Sequence, residues 1–355
     1  MSEILVNPKR STKIKIGQNL VGDGEPCFII AEAGVNHDGS LKQAKTLIEA
    51  AHKAGVDAVK FQTFTADALV TPQAEKATYQ KNTAPGESHY TMLKRLELRT
   101  DDFEELAEYA EERKLIFLSS PFDTESVSFL DRLGVPAFKV ASGEITNIPL
   151  LSCIARKGKP VILSTGMATM GEIEAVLPLF NTIPLILLHC VTQYPAPFDQ
   201  VNLRVIQTLK KAFGYPVGFS DHTLGYTASL AAVALGACVI EKHFTIDKTL
   251  PGPDHGASLE PRELGEMVNA IRQVENALGN GIKAITSEEE KIRAVVRKSV
   301  VAIRDIPEGV PITEQMLAIK RPGTGLPPRF FQKVIGKRAT RPIKAEEVIT
   351  WEDIR

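Results

Sequence analysis

Side chains that could do chemistry recur at regular intervals along this 355-residue chain, each time at the end of an apolar run. Carboxylates, ammonium groups, hydroxyls and imidazoles are all represented, so general acid-base work, anion binding and metal binding are open to it. The residues concerned are Glu32, Lys60, Gln62, Ser119, Lys139, Ser142, Ser164, Thr165, Thr192, Ser220, His222 and His243. Polar residues at the same end of every run predict one shared site.

The apolar runs are the elements that must position these side chains. They lie at residues 27–34, 58–64, 116–123, 137–142, 161–167, 185–192, 217–222 and 238–244. Because they are too continuously apolar for strands with one face in water, they indicate parallel strands covered on both sides. Eight strands alternating with helices predict an α/β fold of the TIM (β/α)8 barrel type, whose catalytic residues lie at the C-terminal ends of the strands.

Helical patterns occupy most gaps between the runs. Ser40 is a candidate N-cap and Gly55 a candidate stop for the first helix, Thr100 opens a second, and a third extends from Thr124 to Gly134. Later candidates are residues 149–155, 169–180, 203–213 and 261–278. A doubly wound open sheet is the alternative. No Gly-x-Gly-x-x-Gly string follows the first run, and the polar residues do not gather at one switch point, so the closed barrel is favoured.

Composition narrows the class of protein. The chain is 43% hydrophobic and 24% charged with a net charge of -1, so no broad basic surface predicts nucleic acid or an anionic membrane as a partner. There is no apolar N-terminal signal region and no run long enough to span a bilayer, which predicts a cytoplasmic protein. Cys27, Cys153, Cys190 and Cys238 lack metal-type spacing and are expected to be free thiols.

The pattern changes after the barrel. Residues 1–280 are predicted to form the catalytic domain, and residues 281–296 a connector in which Thr286-Ser287 and the following acidic residues open a charged helix that ends at Val296. Residues 297–355 carry short β-like pieces broken by proline and glycine, which predicts a compact C-terminal module.

Two lysines indicate an anion site. Lys60 and Lys139 supply positive charge in a mouth otherwise lined by small and apolar residues, and the Ser164-Thr165-Gly166 turn supplies directional donors, so together they suit a phosphate or a carboxylate. A lysine stem packed in the barrel wall and a plain strand-to-helix cap at the turn are the structural alternatives.

Two histidines indicate a metal. His222 and His243 close neighbouring strands and could converge on one divalent ion, with Asp221, Glu241 and Asp254-His255 close by. Two firm ligands favour a labile catalytic Mn²⁺ or Mg²⁺ over a closed structural zinc site.

The remaining ionisable residues are ambiguous. Glu32 and Glu144 are each either an acid or base, or a counter-charge for the lysines. His37 and Asp38 are expected to be turn residues, and His189 a core histidine.

Ten ordered strings carry a family resemblance. They are AEAGVNHDG, AVKFQTF, SSPFD, KVASGEITNIP, STGMAT, HCVTQYPAP, GFSDHTLG, EKHFT, GPDHGAS and KRPGTGLPP. Together they cover nearly the whole chain and resemble the bacterial sialic acid synthase family, which consists of phosphoenolpyruvate-dependent nonulosonate synthases with a TIM barrel and a C-terminal antifreeze-like SAF domain. The resemblance implies a β-rich SAF domain for residues 297–355.

The resemblance also implies roles for individual residues. Lys60 and Lys139 would bind phosphoenolpyruvate with Ser142 and Ser220, and Thr192 would contribute less securely because some relatives carry asparagine there. The other inherited roles are metal binding by His222 and His243, an essential carboxylate at Glu32, catalytic assistance by Glu144 and Asp254, and acceptor-sugar contacts by Gln62, Tyr194 and Arg321. Arg321 would reach the site of the opposite subunit in a homodimer with swapped C-terminal domains.

The implied reaction condenses phosphoenolpyruvate with N-acetylmannosamine and water to give N-acetylneuraminate and phosphate, with C–O cleavage and a divalent metal. A diacetamido acceptor, giving legionaminic or pseudaminic acid, is the alternative, and residues 79–98 with Gln193-Tyr194 are expected to influence that choice. A Schiff-base aldolase using Lys60, Lys139 or Lys242 is a second enzyme class. A non-enzymatic carbohydrate or ice-surface binder is the third possibility.

Overall fold

The computed structural model describes residues 12–83 and 86–355. The chain divides into two compact units. The first unit ends at Gly279, and the second extends from Asn280 to Arg355. Residues 1–11, where a signal sequence would begin, and residues 84–85 of the segment expected to influence acceptor choice lie outside the described residues.

A hairpin precedes the barrel. Its antiparallel strands are β1, Lys13–Ile16, and β2, Asn19–Gly22. The buried side chains of Ile14, Ile16 and Val21 join the core cluster that contains the first residues of the barrel strands. The hairpin therefore closes the N-terminal end of the barrel interior, a feature that the sequence analysis did not predict.

Eight parallel strands form the predicted barrel. They are β3 (Phe28–Gly34), β4 (Ala58–Thr63), β5 (Ile116–Pro121), β6 (Phe138–Val140), β7 (Val161–Ser164), β8 (Leu185–Cys190), β9 (Val217–Asp221) and β10 (Val239–His243). Their order in the sheet is β5-β4-β3-β10-β9-β8-β7-β6, and β5 contacts β6 to complete the ring. Every predicted strand is present, and several predicted runs extended a few residues into the loops that follow the strands.

Helices separate most of the barrel strands. Those of the first unit are α1 (Leu41–Ala54), α2 (Ala66–Leu69), α3 (Thr78–Thr83), α4 (His89–Leu96), α5 (Thr100–Glu112), α6 (Thr124–Leu133), α7 (Ile148–Ala155), α8 (Met170–Val176), α9 (Val205–Phe213), α10 (Thr227–Ala234) and α11 (Pro261–Leu278). The Ser40 hydroxyl caps α1 by accepting from the Gln43 amide, and Gly55 ends it at a φ of 78°. No helix among the described residues has the length and apolar character of a membrane span.

Strand alternation decides which side chains reach the site. In β3, Ile29, Ala31 and Ala33 belong to the cluster between strands and helices, whereas Phe28 and Ile30 belong to the barrel interior. Since side chains alternate with a period of two, Glu32 continues the interior row. It lies at the C-terminal end of the barrel, where the apolar interior gives way to charged groups.

The second unit contains little regular structure. Its elements are α12 (Ser287–Val296), β11 (Ser299–Ala302), β12 (Leu317–Lys320) and α13 (Phe331–Val334). The Thr286 hydroxyl and the Glu289 carboxylate form the predicted capping box of α12. Of the predicted β-like pieces, residues 334–340 and 346–354 do not form continuous strands. Their backbone pairs with other segments only at single positions, such as Ala339 with Ile354.

Candidate active site

Four buried charges form a chain across the barrel mouth. Lys60 Nζ lies 2.6 Å from Glu32 Oε2 and 3.9 Å from Glu241 Oε2, and Lys139 Nζ lies 3.4 Å from Glu241 Oε1. All four side chains are at most 6% exposed. From the sequence, Glu241 is expected only to be a neighbour of the histidines. The available signal for its place in the site is that it lies two residues before His243 on one strand, since residues two apart share a face.

Burial and pairing act against each other on these groups. Burial raises the pKa of Glu32 to about 7, and the attraction of Lys60 reduces that rise. Burial also acts to raise the pKa of Glu241, but Lys139, Lys60 and the Ser220 hydroxyl outweigh it and bring this pKa to about 2. Burial lowers the pKa of Lys139. Glu241 is therefore the ionised partner of both lysines, and Glu32 is the carboxyl group poised to exchange a proton.

A small polar cradle adjoins Lys139. Its ammonium group donates to Ser164 Oγ at 2.8 Å, and the Gly166 amide donates to Ser142 Oγ at 3.1 Å. A Cβ added at Gly166 would lie 2.2 Å from Thr192 Oγ1 and 2.8 Å from Ser142 Oγ, so the three segments meet with no room for a side chain. Thr192 Oγ1 is buried and has no hydrogen-bond partner among the described residues. An anion with several oxygens suits these donors.

The two histidines predicted as metal ligands lie together. The ring centroids of His222 and His243 are 5.6 Å apart. Burial lowers the pKa of His222 to about 4 and that of His243 well below its usual value, so both imidazoles are neutral at neutral pH. His222 Nδ1 donates to the Val191 carbonyl at 2.7 Å, which directs Nε2 toward the pocket.

These residues suit a divalent metal ion. His243 Nδ1 is buried without a hydrogen-bond partner among the described residues, and the Asp254 carboxylate lies 3.9 Å from it. Burial raises the pKa of Asp254 to about 6. Within the described part of the chain, no group of three or more His, Cys, Asp or Glu side chains has a metal-binding arrangement. A two-imidazole site would leave positions for water and substrate oxygen.

Aromatic and amide groups line the pocket on one side. The ring centroid of Tyr194 lies 4.1 Å from that of His222 and 5.6 Å from that of His243. Tyr79 on α3 packs against Tyr194, with ring centroids 5.1 Å apart and ring planes tilted by 31°. Gln62 Nε2 donates to Glu32 Oε1 at 3.3 Å. Tyr194 and Gln62, both predicted to contact the acceptor, therefore border the charged groups.

Two residues once considered for the site lie on the opposite face of its strands. Lys242 Nζ is 3.3 Å from Asp221 Oδ2 and donates to the Thr223 carbonyl, and both charged side chains are fully buried. Ser229 donates to the same carboxylate at 2.6 Å. This pair alternates with Ser220 and Glu241, which face inward and are hydrogen-bonded at 2.9 Å. Lys242 is therefore poorly placed to be the Schiff-base nucleophile considered from the sequence.

Two other predicted residues are not joined to the charged chain. Glu144 follows Ser142 in a short 3-10 helix, where its carboxylate accepts from Asn147 Nδ2 at 2.7 Å. Arg321 belongs to the second unit, where its guanidinium donates to the Val296 carbonyl at 3.0 Å. The four cysteines are free thiols, as predicted, and Cys190 Sγ lies 3.0 Å from Ser142 Oγ.

A TIM barrel with lysines, carboxylates and paired imidazoles at the C-terminal mouth defines an enzyme. The sequence model of the NeuB family matches residues 47–283, and that of the SAF domain matches residues 297–355. The chain belongs to the NeuB family of sialic-acid-type synthases and carries a C-terminal SAF domain.

Known proteins similar to this chain carry related names. It is 48% identical over 341 residues to N,N'-diacetyllegionaminic acid synthase of Legionella pneumophila, covering 94% of this chain and 96% of that one. It is 51% identical over 328 residues to the protein of the same name from Campylobacter jejuni, covering 91% and 98%. The crystal structure of N-acetylneuraminic acid synthetase from Leptospira borgpetersenii superposes with a TM-score of 0.71 at 37% identity, covering 79% of this chain and 95% of that one.

Proposed function

We propose that this enzyme condenses phosphoenolpyruvate with a 2,4-diacetamido hexose and water, giving a legionaminic-acid-type nonulosonate and phosphate. The observation that carries the reaction class is the proximity of two lysines, paired with buried carboxylates, to a small polar cradle and two neutral imidazoles. The acceptor is inferred from the two relatives at 48% and 51% identity, which are both named as diacetyllegionaminic acid synthases.

The donor would occupy the cradle beside the lysines. Thr192, whose hydroxyl has no partner among the described residues, and Ser142 offer hydrogen bonds to phosphate oxygens, and Lys139 and Lys60 offset the negative charge. The Gly166 amide already donates to Ser142 Oγ, so its contribution would be to orient that hydroxyl. Ser220 already donates to Glu241, so its contribution would be to hold that carboxylate between the lysines. This arrangement fixes the donor while leaving its C3 free to attack.

His222 and His243 would hold a divalent ion, with Mn²⁺ the first choice and Mg²⁺ the second. The two neutral imidazoles supply nitrogen ligands, and the unpartnered Nδ1 atom of His243 fits a ligand role. When bound, the ion would polarise the acceptor aldehyde as a Lewis acid. Asp254, 3.9 Å from His243, would accept or return a proton at the acceptor oxygen.

Carbon–carbon bond formation joins C3 of the donor to the aldehyde carbon and leaves C2 electron-deficient. Water then adds to C2, loses a proton, and phosphate leaves with cleavage of its bond to C2. Glu32, whose pKa of about 7 lies close to neutral pH, is the group proposed to take that proton. Glu144, on the segment that follows Lys139, would assist proton transfer during opening of the acceptor ring.

N-acetylmannosamine is the second candidate acceptor, and it is the one that the sequence analysis placed first. It is supported by the Leptospira protein, named N-acetylneuraminic acid synthetase, whose structure is similar to this one. Both acceptors would pack against Tyr194 and Gln62. They differ in the substituent at C4, where the diacetamido sugar carries a second acetamido group.

A homodimer with exchanged SAF domains is part of the proposal, with Arg321 of one subunit completing the site of its partner. Mixing inactive His222→Ala and inactive Arg321→Ala subunits tests it, because exchange of domains restores one complete site per mixed dimer. Recovery of about one quarter of the parent activity after random reassociation is expected, and no recovery would assign Arg321 to its own subunit. An Arg321→Ala enzyme that is active by itself would show that Arg321 completes no site.

An acceptor panel tests the reaction itself. Phosphate release and product mass are followed with phosphoenolpyruvate, Mn²⁺ and either the 2,4-diacetamido hexose or N-acetylmannosamine. We expect kcat/KM to be at least about 10-fold higher for the diacetamido sugar, since a buried polar group that lacks its partner costs this much or more. Reversed preference selects the second candidate. Borohydride trapping of substrate on the protein, without phosphate release, would indicate a Schiff-base aldolase instead.

A further inference from the structure

A hydrogen-bonded chain outside the metal and anion sites connects two loops of the barrel mouth. The side chain of His255 is fully buried, with Nδ1 2.6 Å from Thr245 Oγ1 and Nε2 3.1 Å from Asp38 Oδ2. Because a carboxylate only accepts, Nε2 carries the proton and donates to Asp38. Both ring nitrogens are occupied, so His255 has no free lone pair to offer a metal ion beside His243.

The three residues come from two connections that are far apart in the sequence. Asp38 lies in the turn after β3, whereas Thr245 and His255 both lie in the loop between β10 and α11, which also carries Asp254. The approach is close, since a Cβ added at Gly252 would lie 2.6 Å from the His255 ring and 2.8 Å from Asp38 Oδ1. The glycine lets the loop fold back on this pair.

A second set of bonds holds the other end of the same loop. Asn36 Nδ2 donates to the Phe244 carbonyl at 2.8 Å and to Ser258 Oγ at 2.9 Å. Ser258 Oγ in turn donates to the Asp254 carbonyl at 2.7 Å. The backbone on both sides of the Asp254 side chain is therefore fixed.

The Asp254 carboxylate itself has no comparable support. It is buried, yet no hydrogen bond from the described residues reaches it, and the imidazole atom His243 Nδ1 lies 3.9 Å from its Oδ2. When a buried carboxylate has no direct hydrogen bonds, its position is determined by the backbone to which it is attached. Its neighbour His255, in contrast, is hydrogen-bonded through both ring nitrogens.

We infer that the Asp38–His255–Thr245 chain is a positioning device that holds Asp254 against His243. In this role Asp38 and His255 act through Asp254 and not by direct contact with the substrate. The inference rests on the proposed function only for the consequence in catalysis, because the holding of the loop is independent of any reaction. Residues outside a metal site that orient its groups commonly change activity by about 10–100-fold when removed.

Asp38→Gly is the variant that breaks the chain. Asp38 has a φ of 51°, which strains most side chains but not glycine, so the substitution removes the carboxylate without adding backbone strain. Asp38→Asn keeps an oxygen that can accept from His255 Nε2 and is the conservative variant. Asp131→Asn is the matched control, since it alters a carboxylate on α6 whose side-chain partners are Lys157 and Lys159.

Two measurements decide the matter. Hydrogen exchange of residues 244–258 should accelerate at least about 10-fold in Asp38→Gly and stay at the parental rate in the other two variants. With the acceptor that the parent uses, kcat should fall about 10–100-fold in Asp38→Gly with the KM for phosphoenolpyruvate unchanged within about 2-fold, and Asp38→Asn should recover most of it.

Unchanged exchange in Asp38→Gly overturns the holding role. Faster exchange with unchanged kcat overturns the positioning role, and so does a loss of kcat accompanied by an equal change in the KM for phosphoenolpyruvate. A parent enzyme that turns over neither acceptor contradicts the proposed function instead, and the exchange measurement then still decides whether Asp38 and His255 hold the loop.

Discussion

Glu32 and Lys60 are directly opposite each other on neighbouring strands and form an ion pair of 2.6 Å with both side chains buried. Glu32 is also the register partner of His243 on the other side. One carboxylate thus lies between the proposed anion site and the proposed metal site. A group in that position can influence both the donor and the water that completes the reaction.

Glu32→Gln should separate the chemical role of this carboxylate from its pairing role. Loss of the proton acceptor should lower kcat about 10²–10⁴-fold. Stability should also fall, because Lys60 then retains only Glu241 at 3.9 Å as an anionic neighbour. Phosphate release gives the first quantity and urea unfolding the second.

The double variant Glu32→Gln, Lys60→Met supplies the control. Replacing both members of a buried pair often restores stability that removal of one member loses. We expect the free energy of unfolding to return toward the parental value while activity stays low. Activity that returns with stability would show that Glu32 served only as a counter-charge.

Glu241→Gln should shift the alkaline limb of the pH profile. Burial lowers the pKa of Lys139, and Glu241 opposes this by attraction. Without that attraction the Lys139 pKa falls further, so the ammonium form is lost at lower pH. The descending limb of kcat/KM for phosphoenolpyruvate against pH should therefore move to lower pH. Glu25→Gln, which alters a partner of Lys13 in the N-terminal part of the chain, should leave the limb where it is.

Strand alternation explains both what the sequence revealed and what it concealed. The continuous apolar runs made the eight strands predictable, and polar residues at their ends made the mouth predictable. Asp221 and Lys242 were grouped with their neighbours because position in a run was considered without its face. The structure pairs Asp221 with Lys242 outside the barrel and Ser220 with Glu241 inside it.

Other features depend on contacts that no local pattern carries. The hairpin β1–β2 closes the barrel through the buried side chains of Ile14, Ile16 and Val21. Three apolar residues in so short a segment do not indicate from the sequence that it covers one end of the barrel. The bond between Asp38 and His255 joins residues 217 positions apart, so a turn-forming aspartate gave no sign of it. Tertiary proximity of this kind is decided by how the barrel closes.

Stability should depend on pH through His37. Burial lowers the pKa of this side chain to about 4, whereas an unfolded histidine titrates near about 6.5. The unfolded chain therefore binds the proton first. The stabilising contribution of neutral His37 is complete above pH about 6.5 and is lost as the pH falls toward about 4, with a slope of at most about 1.4 kcal/mol per pH unit.

His37→Asn should remove this part of the pH dependence, since asparagine does not titrate and still offers an acceptor to the Gly39 amide. Urea unfolding of parent and variant at several pH values between 7.5 and 4.5 gives the difference directly. The parent should lose stability relative to the variant as the pH falls. Parallel curves would place the His37 pKa at its ordinary value in the folded chain.

Removal of either proposed metal ligand should weaken metal binding more than it weakens folding. His222→Ala and His243→Ala are each expected to raise the dissociation constant for Mn²⁺ more than about 100-fold, beyond the effect typical of residues that only orient a ligand. Free Mn²⁺ measured by electron paramagnetic resonance reports this without any turnover. His52→Ala, at an exposed position on α1, is the matched control. Parental Mn²⁺ affinity in both site variants would contradict the assignment.

Tyr79 should influence the acceptor and not the donor. Its ring packs against Tyr194, which in turn contacts His222, so it covers the side of the site proposed for the sugar. An aromatic pair contributes about 0.5–1.5 kcal/mol beyond its buried area, which corresponds to about 2–12-fold in binding. Tyr79→Leu should therefore raise the KM for the acceptor by that factor and leave the KM for phosphoenolpyruvate unchanged.

Two further variants separate the effect of ring packing from that of the Tyr79 hydroxyl group and from general damage to the barrel. Tyr79→Phe keeps the ring and should have the parental KM for the acceptor, because packing against Tyr194 needs no hydroxyl group. Tyr109→Leu makes the same change on α5, where the tyrosine ring packs against Arg113 and its hydroxyl donates to Glu49. It should leave both KM values at the parental level. If Tyr79→Phe raises the KM for the acceptor as much as Tyr79→Leu does, the effect belongs to the hydroxyl group and ring packing is rejected as its cause.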